Sequence, residues 1–184
     1  KTYITANEGV LRRTLDYMSF MIMSFVFGLF TKNVDVVIGT SPQFFTVISA
    51  WGLAKLKRVP FVFELRDIWP ESIAAVGAMS NKIILGVFEK IELFLYRQAT
   101  LIVSVTYSFK TALVKRGISE SKIKVILNGA ELTQYNPVVT KDRIFSEKYG
   151  LDNKFVVGYI GTHGLAHALD NIIEAAELLK YQTD

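Results

Sequence analysis

Between positions 34 and 180, short apolar runs alternate with longer stretches whose apolar residues recur every three or four positions. The first kind reads as buried strand and the second as amphipathic helix. Their alternation predicts a parallel sheet wrapped by helices. Val34-Asp35-Val36-Val37-Ile38 is the first clear strand, ending at Gly39. Ser41 follows as a helix cap, with Pro42 at the first helical position. That helix carries Phe44, Val47, Ile48, Trp51 and Ala54 at helical spacing. It closes on Lys55-Leu56-Lys57-Arg58, and cations suit a helix C-terminus. After Pro60 comes the strand Phe61–Leu65. Asn81 opens the most regular helix, with an apolar stripe of Ile83, Ile84, Val87, Phe88, Ile91, Phe94 and Leu95. Lys82, Glu89, Lys90 and Glu92 fall off that stripe. Strand Leu101–Val105 precedes a helix through Phe109, Leu113 and Val114, which Gly117 ends as a left-handed cap. Lys124–Leu127 is a short strand running into the turn pair Asn128-Gly129.

The organisation then changes. Residues 131–137 are irregular, and 141–149 form a short polar helix closed by Gly150. A new strand, Phe155–Ile160, ends in Gly161-Thr162-His163-Gly164. The helix after it turns Leu169, Ile172, Ile173, Ala176 and Leu179 inward. This is a second βα series beginning after a linker.

One apolar run stands apart. From Tyr17 to Thr31 there is no charge, and residues 18–30 are almost all apolar. A spanning helix needs roughly 20 such residues, so the run is short. No small-residue cleavage pattern follows it, so it is not a signal peptide. Two readings remain: a helix buried against a sheet, the commoner outcome, or one whose outer face dips into a bilayer interface. Arg12, Arg13 and Lys32 stand ready for lipid phosphates in the second case.

Composition narrows the class. The 184 residues suit one large domain, or one domain with part of a second. Hydrophobic content of 51% and mean hydropathy of +0.30 demand a large core or a membrane contact. Without cysteine there is no disulfide framework and no thiolate zinc site, which fits a reducing compartment. Net charge of +4 and a pI near 9.2 suit a phosphate-bearing ligand or an anionic lipid surface. A chain that starts at Lys1 and stops as its last helical pattern ends reads as a piece of a longer protein.

The chemistry concentrates where the strand Phe61–Leu65 runs into Arg66-Asp67-Ile68-Trp69-Pro70-Glu71-Ser72. In an open α/β sheet, ligands bind outside the strand carboxyl ends. Arg66 among Glu64, Asp67 and Glu71 is poor core material and good site material. The plainer alternative is an ion-pair network, Arg66 with Asp67 or Glu71, tying the loop down. Trp69 either stacks a sugar or stiffens the turn. A carboxylate pair for sugar hydrolysis would need a set separation across a cleft, which sequence does not supply.

Gly161-Thr162-His163-Gly164 lies between a strand and a helix, where backbone N–H groups and a helix N-terminus hold phosphate. An ordinary βα turn is the alternative. It is neither a dinucleotide fingerprint nor a P-loop. His163 and His167 lie four apart, but there is no HExxH arrangement, so a phosphate or sugar contact by His163 is favoured over a metal. The aromatics fall on core stripes rather than interleaving a basic surface, which sets nucleic acid aside.

Together these segments resemble the retaining glycosyltransferases of family 4, which have the GT-B architecture of two facing Rossmann-like domains. Within that family the chain looks most like bacterial enzymes that build O-antigen, capsule or colanic-acid sugars on a lipid carrier. The resemblance rests on residues 63–72, 104–117, 122–137 and 157–180. It implies an α/β fold: a Rossmann-like parallel sheet flanked by helices in residues 1–128, the acceptor-binding domain. A crossover would occupy 129–154, and 155–184 would start a second, nucleotide-sugar-binding Rossmann-like domain. It implies Arg66 and Asp67 as catalytic residues, with Gly161, Thr162, His163 and Gly164 on the donor diphosphate. Glu64, Trp69 and Glu71 become acceptor contacts. A nucleoside-diphosphate sugar is then the donor substrate, with no cofactor and no metal. The acceptor is a lipid-linked sugar, and the enzyme is cytoplasmic, peripheral on the inner membrane face. The family's first strand with its glycine-rich loop would precede Lys1, and its Glu-x7-Glu pair would follow Asp184. Two departures stand out: Arg66 replaces the histidine that many relatives carry, and Thr162 and Ala168 stand nearest the positions of a frequent Arg and Lys. Two rival readings stay open: a non-catalytic sugar-nucleotide-binding or membrane-docking module, and a GT-B-fold sugar-nucleotide epimerase.

Overall fold

The computed structural model describes residues 10–69, 81–133, 135, 140–164 and 167–180. Two compact units divide the chain, Lys1–Asn128 and Gly129–Asp184. In the first, helix α1 (Val10–Phe30) leads to strand β1 (Val37–Thr40), helix α2 (Phe44–Lys57) and strand β2 (Phe61–Leu65). Helix α3 (Lys82–Gln98), strand β3 (Leu101–Ser104), helix α4 (Tyr107–Lys115), a 3₁₀ turn and strand β4 (Ile123–Val125) follow. The four strands are parallel and stand in chain order, with Val37 opposite Phe61, Phe63 opposite Ile102, and Ile102 opposite Ile123. This is the Rossmann-like α/β sheet that the alternating pattern predicts.

Period-two alternation sorts the strand side chains between two faces. Phe61, Phe63, Leu65, Ile102 and Ile123 join Leu95, Tyr96 and Leu113 in one buried cluster under the helices. Gly39 marks how near β1 comes to α2. A Cβ there would stand 2.8 Å from that of Ala50 and 3.1 Å from the Val47 Cα. The alternate positions form rows of Ile38, Val62 and Leu101, then Thr40, Glu64 and Val103, on the other face, where Ile38 is 59% exposed.

Helix ends follow their local chemistry. Asn81 Oδ1 accepts the Ile83 and Ile84 N–H groups at 3.0 and 3.3 Å, starting α3. Thr106 Oγ1 accepts the Phe109 N–H at 3.1 Å, starting α4. At the far end of α4, Gly117 takes φ +82°, and the Ile118 N–H reaches back to the Leu113 carbonyl at 3.1 Å. The second bond of that cap, Gly117 N–H to the Val114 carbonyl, completes a Schellman motif.

Several sequence expectations shift. Strand β1 runs from Val37 to Thr40 rather than from Val34 to Ile38. Helix α2 begins at Phe44, with Gln43 at its cap and no side-chain cap bond. Ser41 is therefore not the cap, because its hydroxyl is engaged elsewhere. The apolar run of α1 packs mainly on α2 instead of on the sheet. Ser24 and Ser49 hydroxyls meet at 3.0 Å, and Phe25 lies over Gly52. Lys57 Nζ donates to the Leu29 and Thr31 carbonyls at 3.2 and 2.7 Å, so a cation of α2 closes the C-terminus of α1. The outer side of α1 stays open, with Phe27 62% and Phe30 77% exposed. Among the described residues no helix is long and apolar enough to cross a membrane.

The second unit is sparser. Asp142 caps helix α5 (Arg143–Tyr149), and Gly150 closes it at φ +61°. Helix α6 (Asp170–Leu179) comes last. The expected strand over 155–160 is not formed: these residues pair with no strand among those described, and Phe155 is 96% exposed. A strand needs a neighbour for its N–H and C=O groups. With no sheet beneath it among the described residues, the apolar stripe of α6 does not turn inward, and Ile173 and Leu179 are exposed.

Candidate functional site

A parallel sheet brings its strand carboxyl ends to one edge. Here that edge gathers Thr40 at the end of β1 with Ser41 after it, 66–69 after β2 and 105–106 after β3. The loop after β2 is the charged one, and its backbone is held from two sides.

On the β1 side the holder is Ser41. Its Oγ accepts the Arg66 N–H at 3.0 Å and the Asp67 N–H at 3.2 Å, and donates to the Asp67 carbonyl at 3.1 Å. The Ser41 N–H in turn donates to the Glu64 carbonyl at 3.0 Å. One buried hydroxyl thus meets three backbone groups that leave the strand ladder as the chain turns. Serine fits because a hydroxyl both donates and accepts.

On the α3 side the holder is Glu92, which is 1% exposed. Its Oε1 accepts the Trp69 N–H at 3.0 Å and the Tyr96 hydroxyl at 2.7 Å. Its Oε2 lies 3.1 Å from Arg116 Nη2, which also bonds Glu89 at 3.2 Å. Burial is the largest influence on this carboxyl and pushes its pKa up to about 7, although Tyr96, Arg116 and the Trp69 amide all favour the ionised form.

Of the side chains between these two holders, Ile68 is buried in the core and the two charged ones are presented. Arg66 is exposed and Asp67 half-buried. Among the described residues no carboxylate pairs with Arg66, so of the two partners that the plainer reading offered, Asp67 does not form the ion pair. Glu64 lies one turn of pleat back, on the open face of the sheet, where its Oε2 accepts the Thr40 hydroxyl at 2.6 Å. Glu71 lies outside the described residues. Trp69 uses one face of its indole on Phe44, stacked at 5.2 Å and 11°, while Phe88 meets it edge-on at 5.3 Å. The ring is therefore packed into the aromatic cluster between α2 and α3, which favours stiffening the turn over stacking a sugar.

In the second unit, Gly161, Thr162 and His163 are exposed and Gly164 half-buried. The Tyr159 hydroxyl donates to the Thr162 carbonyl at 2.9 Å, and the rings of Tyr159 and His163 stand 5.8 Å apart. Tyr159, His163, Gly164 and Asp170 line part of a cavity of about 540 Å³. The Gly164 N–H donates to His167 Nδ1 at 3.2 Å, so here that amide is engaged within the loop. Asp170 places a carboxylate in the first turn of α6. Among the described residues no group of three potential metal ligands comes together.

Sequence reasoning missed Ser41, Glu92, Tyr96 and Arg116 as supports of the loop. A signal for Glu92 exists: Phe88, Glu92 and Tyr96 form one i, i+4 row on α3, so a carboxylate stands between two aromatics on a face that packs inward.

Comparison with known proteins bears on the family. The family model described as Glycosyltransferase Family 4 matches residues 4–134. The chain is also similar, at 24% identity over 189 aligned positions, to WcaI of Escherichia coli (strain K12), named as a candidate colanic acid biosynthesis glycosyl transferase. That alignment takes in 97% of this chain and 46% of the relative, so the chain spans about half the length of the curated relative it matches.

Proposed function

Because the chain belongs to glycosyltransferase family 4, we propose that it carries the acceptor-side half of an enzyme of bacterial surface-polysaccharide synthesis. The reaction moves a hexose-type sugar from a nucleoside diphosphate to a lipid-linked acceptor, with retention at the anomeric carbon. The observation that supports this best is the rim after β2, where an exposed guanidinium sits on a backbone fixed by Ser41 and Glu92. Catalysis of sugar transfer consists largely of holding two reactants in line and stabilising the departing diphosphate. Both tasks suit pre-fixed cations and dipoles.

In this reading Arg66 and Asp67 orient the acceptor and the reacting sugar, and Glu64 is a further acceptor contact beside Thr40. Glu71 keeps that role from the sequence alone, and Trp69 serves by packing the loop. Gly161, Thr162, His163 and Gly164 receive the donor diphosphate; for the Gly164 amide this requires the His167 ring to give way. The reading calls on no metal and no cofactor. The open apolar side of α1, with Phe27 and Phe30, supports contact with an anionic membrane surface on the cytoplasmic face, where a lipid carrier presents its sugar.

The test is transfer of radiolabelled sugar from nucleotide donors into lipid extract by the full-length protein. Arg66→Ala lowers the rate by about 100-fold if the guanidinium stabilises charge in the transition state. Transfer at the wild-type rate by Arg66→Ala removes the assigned role. Conversion of free nucleotide sugar to an epimer without a lipid product overturns the transferase reading, as does the absence of any turnover.

A further inference from the structure

A carboxylate only 1% exposed needs a reason. Replacing buried ionic groups by apolar residues of similar volume is often neutral or stabilising, so Glu92 is not explained by stability alone. What it does is local. Its Oε1 accepts the amide proton of Trp69, three residues past Arg66, at 3.0 Å. One turn earlier on the same row of α3, Phe88 packs edge-on against the Trp69 ring. The far oxygen is ion-paired at 3.1 Å with Arg116, the residue that caps the C-terminus of α4. Three elements thus converge on one side chain: the rim loop, α3 and the end of α4.

We propose that Glu92 is a positioning residue for the transfer reaction, fixing through the Trp69 amide the height and direction at which Arg66 and Asp67 leave the sheet edge. Ser41 fixes the start of the loop and Glu92 its end, so the two rim side chains are carried on a span pinned at both ends. The Tyr96 hydroxyl and the Arg116 guanidinium hold the carboxylate itself, which keeps the acceptor oxygen aimed at Trp69. This inference rests on the transferase reading for its meaning, but the pinned loop is testable without it.

The experiment is hydrogen exchange of residues 66–69, together with steady-state transfer kinetics, in the full-length protein. Glu92→Leu removes the acceptor. It is expected to speed exchange in 66–69 by about tenfold, the loss of one charge-assisted bond, while β2 and β3 keep their protection. Transfer should lose a similar factor in kcat with donor KM little changed. Glu92→Gln, which keeps an oxygen for the Trp69 amide, is expected to restore protection and part of kcat. If Glu92→Leu does not fold, Glu92→Asp withdraws the acceptor by one methylene and keeps the charge facing Arg116, with the same local loosening expected. Exchange in 66–69 like wild type, or protection lost evenly across the sheet, overturns the proposal. A wild-type protein that transfers no sugar defeats the transferase reading, while the exchange result still decides whether Glu92 pins the loop.

Discussion

The hydroxyl of Ser41 takes the amide proton of Asp67 at 3.2 Å and returns its own proton to that residue's carbonyl at 3.1 Å. Two strand ends that are neighbours in the sheet are thereby tied through a single side chain. Ser41→Ala leaves the Arg66 and Asp67 amides and the Asp67 carbonyl without that partner. The expected cost is about 1–3 kcal/mol in urea unfolding, since buried backbone groups lose their bond. Transfer activity should fall more steeply than stability, which chevron or equilibrium unfolding beside an activity assay will show.

Glu92 gives the fold a pH dependence of definite sign. Its folded-state pKa is raised from 4.5 to about 7 by burial. The folded protein therefore binds this proton more tightly than the unfolded chain. The contribution is fully present below pH 4.5 and declines as pH rises through about 7. Unfolding free energy should drop by on the order of 3 kcal/mol from this group across that window. In Glu92→Gln the slope between those pH values should flatten, as measured by denaturant titrations at a series of pH.

Close packing of β1 on α2 makes Gly39 intolerant. A Cβ at that position meets the Val47 backbone at 3.1 Å, which cannot yield as a flexible side-chain tip does. Gly39→Ala should destabilise by about 1–3 kcal/mol, read as a lowered urea midpoint at unchanged m-value.

The open side of α1 is expected to matter for membranes and not for folding. Replacing both Phe27 and Phe30 by Ser removes mostly exposed apolar area. Flotation with vesicles containing anionic lipid should weaken by about tenfold or more, at the thermal midpoint of the parent. Equal flotation by the double variant would remove α1 as the docking element.

Legibility in the sequence followed locality. Strand Phe61–Leu65 and the caps at Asn81, Gly117 and Gly150 were readable because each depends on neighbouring residues: alternation, an Asn oxygen, a left-handed glycine. The roles of Ser41 and Glu92 were not. Ser41 sits where a cap belongs, yet its hydroxyl is drawn across to β2 by amides 25 and 26 residues away. Glu92 falls off the apolar stripe, and although its row with Phe88 and Tyr96 points inward, nothing local names Trp69 and Arg116 as the groups that close over it. The run 155–160 has the composition of a strand, but a strand is a property of a pair, and the described residues of its unit offer no second member.

Chain-order stacking of four like-directed strands has an evolutionary corollary. Every segment that leaves the sheet at the Ser41, Arg66 and Thr106 end is an exit, and none of them must hairpin straight back into the ladder. Insertions there can lengthen or re-sculpt the rim while the register of Val37 with Phe61 and of Val62 with Leu101 at the opposite end stays untouched. Substrate preference can therefore drift among such proteins by editing turns, with the scaffold that displays them left unaltered.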